Sequence, residues 1–288
     1  MKRKIIAFSL LLLLIPSYQS IAITTNHTIN SSKSAFNNSD FWAVLITAGE
    51  PKPDEKNARD LKNILVNHGW NNDNIYYLKE NEATKEAILA VPDWLNDHGI
   101  KEEDLILFYF SMHGGRKEDV PPLDEPDNMD EFLIPYKPEK LNSNNILDEE
   151  LALMFEQIIS DNIVIIIESC FSGGMIDGTN DLKKSGRVIM TSAREDESSY
   201  PFFLKRSWLF PFYLIRGLRG LADKNCDGYI SAEEAFKYAE IRTIKISTIF
   251  GYILYIFHRE LFNQHPQLYD GWPLEENNEE ELILINVS

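Results

Sequence analysis

Continuous apolar runs alternate along this chain with segments whose apolar residues recur at helical spacing. The runs are rich in β-branched and aromatic residues, as in strands that a parallel sheet buries on both faces. The alternation predicts an α/β fold with a mostly parallel sheet that helices cover on both faces, a three-layer sandwich. Four runs carry most of the pattern, at 41–49, 104–112, 163–167 and 186–193, and the first predicted helices lie at 54–68, 84–98 and 148–160.

The second half of the chain is predicted to be mainly helical. One apolar helix is expected at 207–218, and another begins at Ser231 and continues with interruptions to about residue 262. Within it, 246–257 is nearly all apolar, but twelve residues are too few to span a bilayer, so we expect a core helix. The polar stretch 116–130 contains three prolines and predicts a long surface loop near the strand ends.

The first 22 residues have the pattern of a secretory signal peptide. Three basic residues, 2–4, precede an apolar stretch at 5–15, and Ser20-Ile21-Ala22 offers small residues to a signal peptidase. An uncleaved membrane anchor is the alternative. The polar stretch 23–40 has few large apolar groups and three N-X-Ser/Thr patterns, so we expect a disordered, glycosylated linker on a secreted protein.

Composition narrows the function classes. The formal net charge is −17 and no basic patch is visible, which argues against nucleic-acid binding and favours solubility and cation binding. Only two cysteines occur, Cys170 and Cys226, too few for a disulfide framework. A bridge between them is conceivable, but it would consume the thiol of Cys170.

Two buried strands deliver reactive side chains at their ends. The run 163–167 leads to Cys170, and the run 104–112 leads to His113-Gly114. If these strands are neighbours, the imidazole lies beside the thiol, lowers its pKa and later protonates the leaving group. The backbone N–H groups of Gly114 and Cys170 would form an oxyanion hole. Taken singly, each side chain is more often an ordinary core or surface residue.

Three short motifs resemble the caspase–legumain clan of cysteine peptidases. They are S-M-H-G-G at 111–115, E-S-C-F-S-G at 168–173 and E-S-S-Y at 197–200, and the resemblance extends over about 41–275. It implies a caspase-like sandwich with a His113/Cys170 dyad. The remaining 276–288 is predicted to be an acidic tail or an edge strand.

The resemblance also implies a substrate pocket. Its walls would be the loop after the first strand, Glu168, Ser198 and Ser199. Where legumain has basic residues after that strand, this chain has Glu55 and Lys56. Two acidic side chains, Glu55 and Glu168, would favour a substrate with Arg or Lys at the cleavage site by charge complementarity.

The stretch 223–234, D-K-N-C-D-G-Y-I-S-A-E-E, has the pattern of an EF-hand calcium loop. Oxygen-bearing side chains occur at loop positions 1, 3, 5, 9 and 12, glycine at position 6 and an apolar residue at position 8. The sequence therefore predicts one structural Ca²⁺ site and no organic cofactor. The alternative is a polar turn with a helix cap at Ser231. The predicted ligands are Asp223, Asn225, Asp227, the Tyr229 carbonyl, Ser231 and Glu234.

These features favour a secreted, calcium-stabilised cysteine endopeptidase that acts on peptides or proteins. Two alternatives stay open. A transpeptidase of the same family would use the same Cys170 and His113 but transfer the acyl group to an amine. A non-catalytic, calcium-binding interaction protein would keep the fold without the chemistry.

Overall fold

A six-stranded sheet forms the centre of the protein. The computed structural model describes residues 40–119, 125–136, 144–178, 182–258, 263–273 and 281–288. The signal peptide predicted at 1–22 and nearly all of the linker predicted at 23–40 lie outside these residues. The strand order is β12-β8-β7-β3-β1-β2, and every pair is parallel except β12 with β8. The strands are β1 (Phe41–Thr47), β2 (Ile75–Lys79), β3 (Leu105–Ser111), β7 (Asn162–Glu168), β8 (Arg187–Thr191) and β12 (Gln267–Asp270).

The central strands are apolar on both faces because helices cover both sides of the sheet. One face packs on α1 (Pro51–Asn67), α5 (Leu209–Arg216) and the first turns of α6 (Ala232–His258). The other packs on α2 (Lys85–Leu89), α3 (Val91–Asp97) and α4 (Asp148–Phe155). Alternate residues of one strand therefore enter different cores, as Leu107 and Phe108 do. The predicted caspase-like α/β sandwich is confirmed.

The described residues also form three small sheets besides the central one. One consists of β4 (His113–Glu118), β5 (Met129–Ile134) and β6 (Ile146–Leu147), all antiparallel. The second is a hairpin of β9 (Pro201–Phe202) and β10 (Ser207–Trp208). The third pairs β11 (Tyr229–Ser231) with β13 (Ile283–Asn286).

Two of these sheets contain segments that the sequence predicted to be a loop and a tail. Both ends of the predicted loop 116–130 belong to the β4–β5 hairpin, because the polar side chains of β4 face outward while β5 buries Leu133. Part of the predicted tail, 283–286, is a buried strand. It binds β11 and contributes Leu284 and Ile285 to the core.

The helices of the second half follow the sequence pattern with shifted ends. Ser207 and Trp208 form strand β10, so α5 begins at Leu209 rather than Ser207. Helix α6 begins at Ala232 and ends at His258. In the described part of the chain, no helix has the length and hydropathy needed for a membrane span.

Candidate active site

The carboxyl ends of β1, β3 and β7 meet at one edge of the sheet. Thr47 lies opposite Ser111, and Ser111 lies opposite Glu168, so the three strands end in register. One residue further on, the Met112 N–H donates to the Glu168 carbonyl over 3.2 Å. The residues that follow β3 and β7 therefore leave the sheet side by side, where open α/β sheets place their ligand sites.

Cys170 lies in a tight turn directly after β7. Its thiol is free and partly accessible, and the next residue, Phe171, has a φ of 60°. The Phe171 N–H donates to the Glu197 carbonyl over 2.8 Å, and the Ser169 N–H donates to Ser192 Oγ over 3.2 Å. These bonds tie the cysteine turn to the chain that follows β8, so the position of the thiol is determined by two neighbouring elements.

His113 begins β4, and its side chain is exposed. The adjacent Gly114 lies against the cysteine turn: a Cβ atom there would come within 2.3 Å of both the Cys170 carbonyl oxygen and Ser169 Oγ. Only glycine permits this approach, because real Cβ atoms do not make such contacts. The structure thus brings the His113 and Cys170 segments into backbone contact.

A cleft of about 190 Å³ opens beside this edge of the sheet. Three of the side chains that line it are carboxylates, and no Lys or Arg is among its lining residues in the described part of the chain. The cleft therefore has a negative potential that favours cationic groups. It is lined by Thr47, Ala48, Gly49, Pro51, Asp54, Glu55, Glu80 and Tyr136.

Asp54 is the buried acid of the cleft, and its two oxygens have different surroundings. Oδ1 accepts hydrogen bonds from Ser111 Oγ, over 2.6 Å, and from the indole N–H of Trp208, over 2.5 Å. Oδ2 lies close to Gly49 on the cleft wall and makes no hydrogen bond of good geometry. Burial raises the pKa of Asp54 to about 6, although these hydrogen bonds and the His113 imidazole oppose the rise. Asp54 is therefore largely ionised at neutral pH.

Glu168 is the second buried acid, at the end of β7, and is 2% exposed. Glu168 accepts a hydrogen bond from Ser199 Oγ. Ser199 Oγ in turn accepts a hydrogen bond from Gln264 Nε2 over 3.4 Å. Burial, together with the nearby Asp54, raises the pKa of Glu168 to about 8, despite the bond from Ser199. At neutral pH this side chain carries a proton for most of the time, so Asp54 supplies the buried negative charge.

The predicted pocket residues are distributed over this site. Glu55 lines the cleft, while Glu168 and Ser199 are bonded to each other beneath it. Ser198 is half-buried beside Ser199. Asp54 and Trp208 are not among the pocket residues predicted from the sequence. A signal for Asp54 was present, because Asp54 and Asn57 are polar residues on the otherwise apolar, buried face of α1.

A second group of carboxylates lies beneath the cysteine turn. The Glu131 side chain fills the space beside Gly174, where a Cβ would lie 2.0 Å from Glu131 Oε2. Burial and the nearby carboxylates of Asp177, Asp127 and Glu125 raise the pKa of Glu131 to about 9. Deprotonation of Glu131 is therefore less favourable in the folded protein than in the unfolded chain.

The loop 223–234 folds around its own acidic side chains. The Asp227 N–H donates to Asp223 Oδ1 and Asn225 Oδ1, over 3.2 and 3.0 Å, and Gly228 has a φ of +84°. The Glu234 N–H donates to Ser231 Oγ over 3.0 Å, and Glu234 Oε2 accepts from the Ser231 N–H over 3.4 Å, a reciprocal helix cap. Tyr229 opens β11, which pairs with β13.

The donors of this loop are oxygen atoms, which suit Ca²⁺, and the glycine adopts the turn that such loops need. However, Glu234 is engaged in the helix cap. Within the described ranges, no three His, Cys, Asp or Glu side chains converge as a metal site. The calcium site therefore stays a prediction.

Residues 52–179 match the family described as "Metacaspase, peptidase C14 domain". This stretch contains Asp54, His113, Glu168 and Cys170. Three proteins named Metacaspase-1 are similar to the chain. That of Candida albicans is 27% identical over 171 residues, 51% of this chain and 38% of the relative. That of Lodderomyces elongisporus is 27% identical over 143 residues, 46% and 31%. That of Yarrowia lipolytica is 29% identical over 129 residues, 42% and 27%.

The matched part of the chain thus spans about a third of the length of these relatives. Residues 52–179 are therefore similar to the peptidase domain of metacaspases, which are caspase-like cysteine peptidases. The similarity does not extend to the legumain subtype that the short motifs resemble. The loop 223–234 lies outside the stretch that matches the family.

Proposed function

Proceeding from this metacaspase-like peptidase domain, we propose that the protein is a cysteine endopeptidase that cleaves peptide bonds after Arg or Lys. One observation carries the proposal. The His113 and Cys170 segments touch at the carboxyl edge of the sheet, next to a cleft whose buried acid is Asp54. A nucleophile, a base and a cation-binding acid are thus available to one substrate.

The reaction follows from this arrangement. The His113 imidazole takes the proton from Cys170 Sγ, and the thiolate attacks the carbonyl carbon of the scissile bond. The N–H groups of Gly114 and Cys170 stabilise the oxyanion of the tetrahedral intermediate. The imidazolium then protonates the departing amine, which leaves an acyl-enzyme on Sγ. A water molecule, deprotonated by His113, attacks this thioester, releases the carboxylate product and restores the thiol.

The cleft provides the specificity in this proposal. An Arg or Lys side chain of the substrate would extend along the cleft and place its cation near Asp54 Oδ2, the oxygen that lacks a good hydrogen bond. A buried carboxylate with one satisfied oxygen gains more from such a partner than a solvated one does. Glu55 and Glu80 add negative potential at the cleft wall. The protonated Glu168 contributes as a hydrogen-bonding group.

A peptide-library cleavage profile, with an iodoacetamide-type label on the thiol, tests the proposal. We expect cleavage after Arg and Lys and label on Cys170, with label and cleavage both absent from Cys170→Ala. Cleavage only after Asn or Asp would contradict the specificity. Transfer of the acyl group to an added amine in preference to water would identify a transpeptidase. A wild-type protein that neither labels nor cleaves would be a non-catalytic protein.

We further propose that the loop 223–234 binds one structural Ca²⁺, with Asp223, Asn225, Asp227, the Tyr229 carbonyl, Ser231 and Glu234 as its ligands. Calcium would hold the start of α6 beside β13, because β13 pairs with β11, which lies within the loop. The carboxylates around Glu131 are a second candidate site for cation binding. Thermal unfolding with and without chelator therefore has to include variants of both regions.

Export remains part of the proposal and rests on the basic and apolar pattern at 2–22. Expression of the full chain in its source cells, followed by N-terminal sequencing of the protein from medium and membrane fractions, separates the two forms. A mature protein in the medium that begins near residue 23 supports a cleaved signal. An intact N-terminus in the membrane fraction supports the anchor.

A further inference from the structure

The buried side-chain amide of Asn57 on helix α1 forms hydrogen bonds with the β9–β10 hairpin. Asn57 Nδ2 donates to Ser207 Oγ over 2.6 Å, and Asn57 Oδ1 accepts the backbone N–H of Trp208 over 3.1 Å. Asn57 and Ser207 are each 1% exposed. Both ends of the amide are therefore used on the hairpin, and buried polar pairs of this kind fix geometry because breaking them leaves an unpaired group.

These two hydrogen bonds of Asn57 position the Trp208 indole against Asp54, the buried acid of the cleft. The indole N–H donates to Asp54 Oδ1, the same oxygen that accepts from Ser111 Oγ. Two donors from different elements, one on β3 and one on β10, hold the carboxylate from one side. Its other oxygen, Oδ2, is buried against Gly49, which lines the cleft.

The segment 199–208 serves both acids of the site. At its beginning, Ser199 Oγ donates to Glu168, and at its end, Trp208 donates to Asp54. The Leu209 N–H donates to the Tyr200 carbonyl over 3.0 Å, and this bond closes the base of the β9–β10 hairpin. At the tip, Phe203 and Leu204 are 83% and 81% exposed. The hairpin is thus tied down at its base, where its donors reach the acids.

We propose that Trp208 is a positioning residue for substrate recognition, which acts by orienting Asp54 toward the cationic side chain that enters the cleft. The proposal rests on the proposed function for the nature of the substrate. Trp208 does not touch the reacting atoms. Its removal should weaken the binding of cations and leave the chemistry at Cys170 intact.

The test compares Trp208→Phe with Trp272→Phe, and Asp54→Asn serves as a reference. Phenylalanine keeps most of the ring packing and removes the indole donor. Trp272 is the matched control because its indole N–H donates to Asn162 Oδ1 over 2.8 Å at the opposite end of β7. Two readouts are needed: calorimetric binding of benzamidine, and KM and kcat for an Arg-containing peptide between pH 5 and 8. The rate of Cys170 labelling by iodoacetamide reports whether the site is folded.

We expect Trp208→Phe to weaken benzamidine binding and raise KM about tenfold, with kcat and the labelling rate unchanged, since it removes one hydrogen bond to a charged group. The pH midpoint of KM should also move up, because Asp54 loses a donor that favours its ionised form. Equal results for Trp208→Phe and Trp272→Phe would overturn the proposal, and so would a loss confined to kcat.

The benzamidine measurement separates this inference from the peptidase proposal. If the wild type cleaves no peptide but binds benzamidine in a manner that depends on Asp54 and Trp208, the inference holds and the peptidase proposal fails. If the wild type cleaves after Arg while Trp208→Phe binds and cleaves normally, the inference alone fails. A wild type that binds no benzamidine overturns the inference.

Discussion

The cleft beside Cys170 and the loop 223–234 both gather acidic side chains, but they hold them with different partners. Asp54, which lines the cleft, and the buried Glu168 near it accept hydrogen bonds from side chains far away in the sequence. The donors are 57, 154 and 31 residues distant, at Ser111, Trp208 and Ser199. In the loop, Asp223 accepts backbone N–H groups four and five residues away.

The difference teaches how each region depends on the rest of the molecule. The loop can form its turns from local contacts alone, so its pattern is visible in twelve consecutive residues. The cleft is assembled from β1, α1, the turn after β2 and the end of the β5 segment, and its acid Asp54 is held by donors on β3 and β10. A change in the cleft should therefore affect recognition and catalysis, whereas a change in the loop should affect stability.

The largest expected effect comes from the dyad. Cys170→Ala should abolish peptidase activity because it removes the thiolate that attacks the scissile carbonyl, and His113→Ala should lower kcat/KM by roughly 10²–10⁴-fold through loss of proton transfer. The measurement is hydrolysis of an Arg-containing peptide. Cys226→Ser is the matched control and should be fully active. Substantial activity in Cys170→Ala would place the chemistry elsewhere.

Substitution of Asp54 comes next and separates it from its neighbour Glu55. Asp54→Asn should raise KM for Arg and Lys substrates by roughly a hundredfold, because a buried charge partner is lost, while Glu55→Gln should change KM only a few-fold since surface charges contribute little. In the wild type, KM should rise as the pH falls through about 6, where Asp54 takes up a proton. This pH dependence should be absent in Asp54→Asn. A larger effect of Glu55→Gln would restore Glu55 as the main specificity residue.

Calcium should act on the second region. If Ca²⁺ binds the native loop, an excess of one hundredfold over Kd stabilises the fold by about 2.7 kcal/mol, which raises the melting temperature by about 5–10 °C relative to chelator. Asp223→Asn should remove this shift, and Glu131→Gln should keep it. The opposite pattern in calorimetry would assign the cation to the carboxylates beneath the cysteine turn.

A separate effect on stability concerns Glu131 in chelator. Its pKa is about 9 in the folded protein and about 4.3 in an unfolded chain. The folded state therefore binds the proton more tightly, and the stability that this proton confers is complete below pH 4 and lost as the pH rises toward 9. Glu131→Gln cannot ionise, so its melting temperature relative to the wild type should increase steadily from pH 5 to 9. A difference independent of pH would show that Glu131 has an ordinary pKa.

The strands and helices were largely predictable, because burial on both faces leaves unbroken apolar runs such as the one that forms β7. The strand ends predicted that His113 and Cys170 lie side by side only if their strands are neighbours, and the pairing of β3 with β7 meets that condition. Asp54 was overlooked in favour of Glu55, since the resemblance to legumain directed attention to the loop rather than to the buried face of α1. The stretch 116–130 was expected to be a loop because its polar residues and prolines conceal the pairing of β4 with β5.

By itself, the sequence determined the α/β layering, the strand that delivers Cys170 and the acidic turn at 223–234, since all of these depend on neighbouring residues. Tertiary structure alone decided that Asp54 is the charged acid of the cleft and Glu168 a protonated one. It also decided that Trp208 and Ser199 hold them. The physical reason is that pKa values and hydrogen-bond partners depend on burial and on groups brought together from distant parts of the chain.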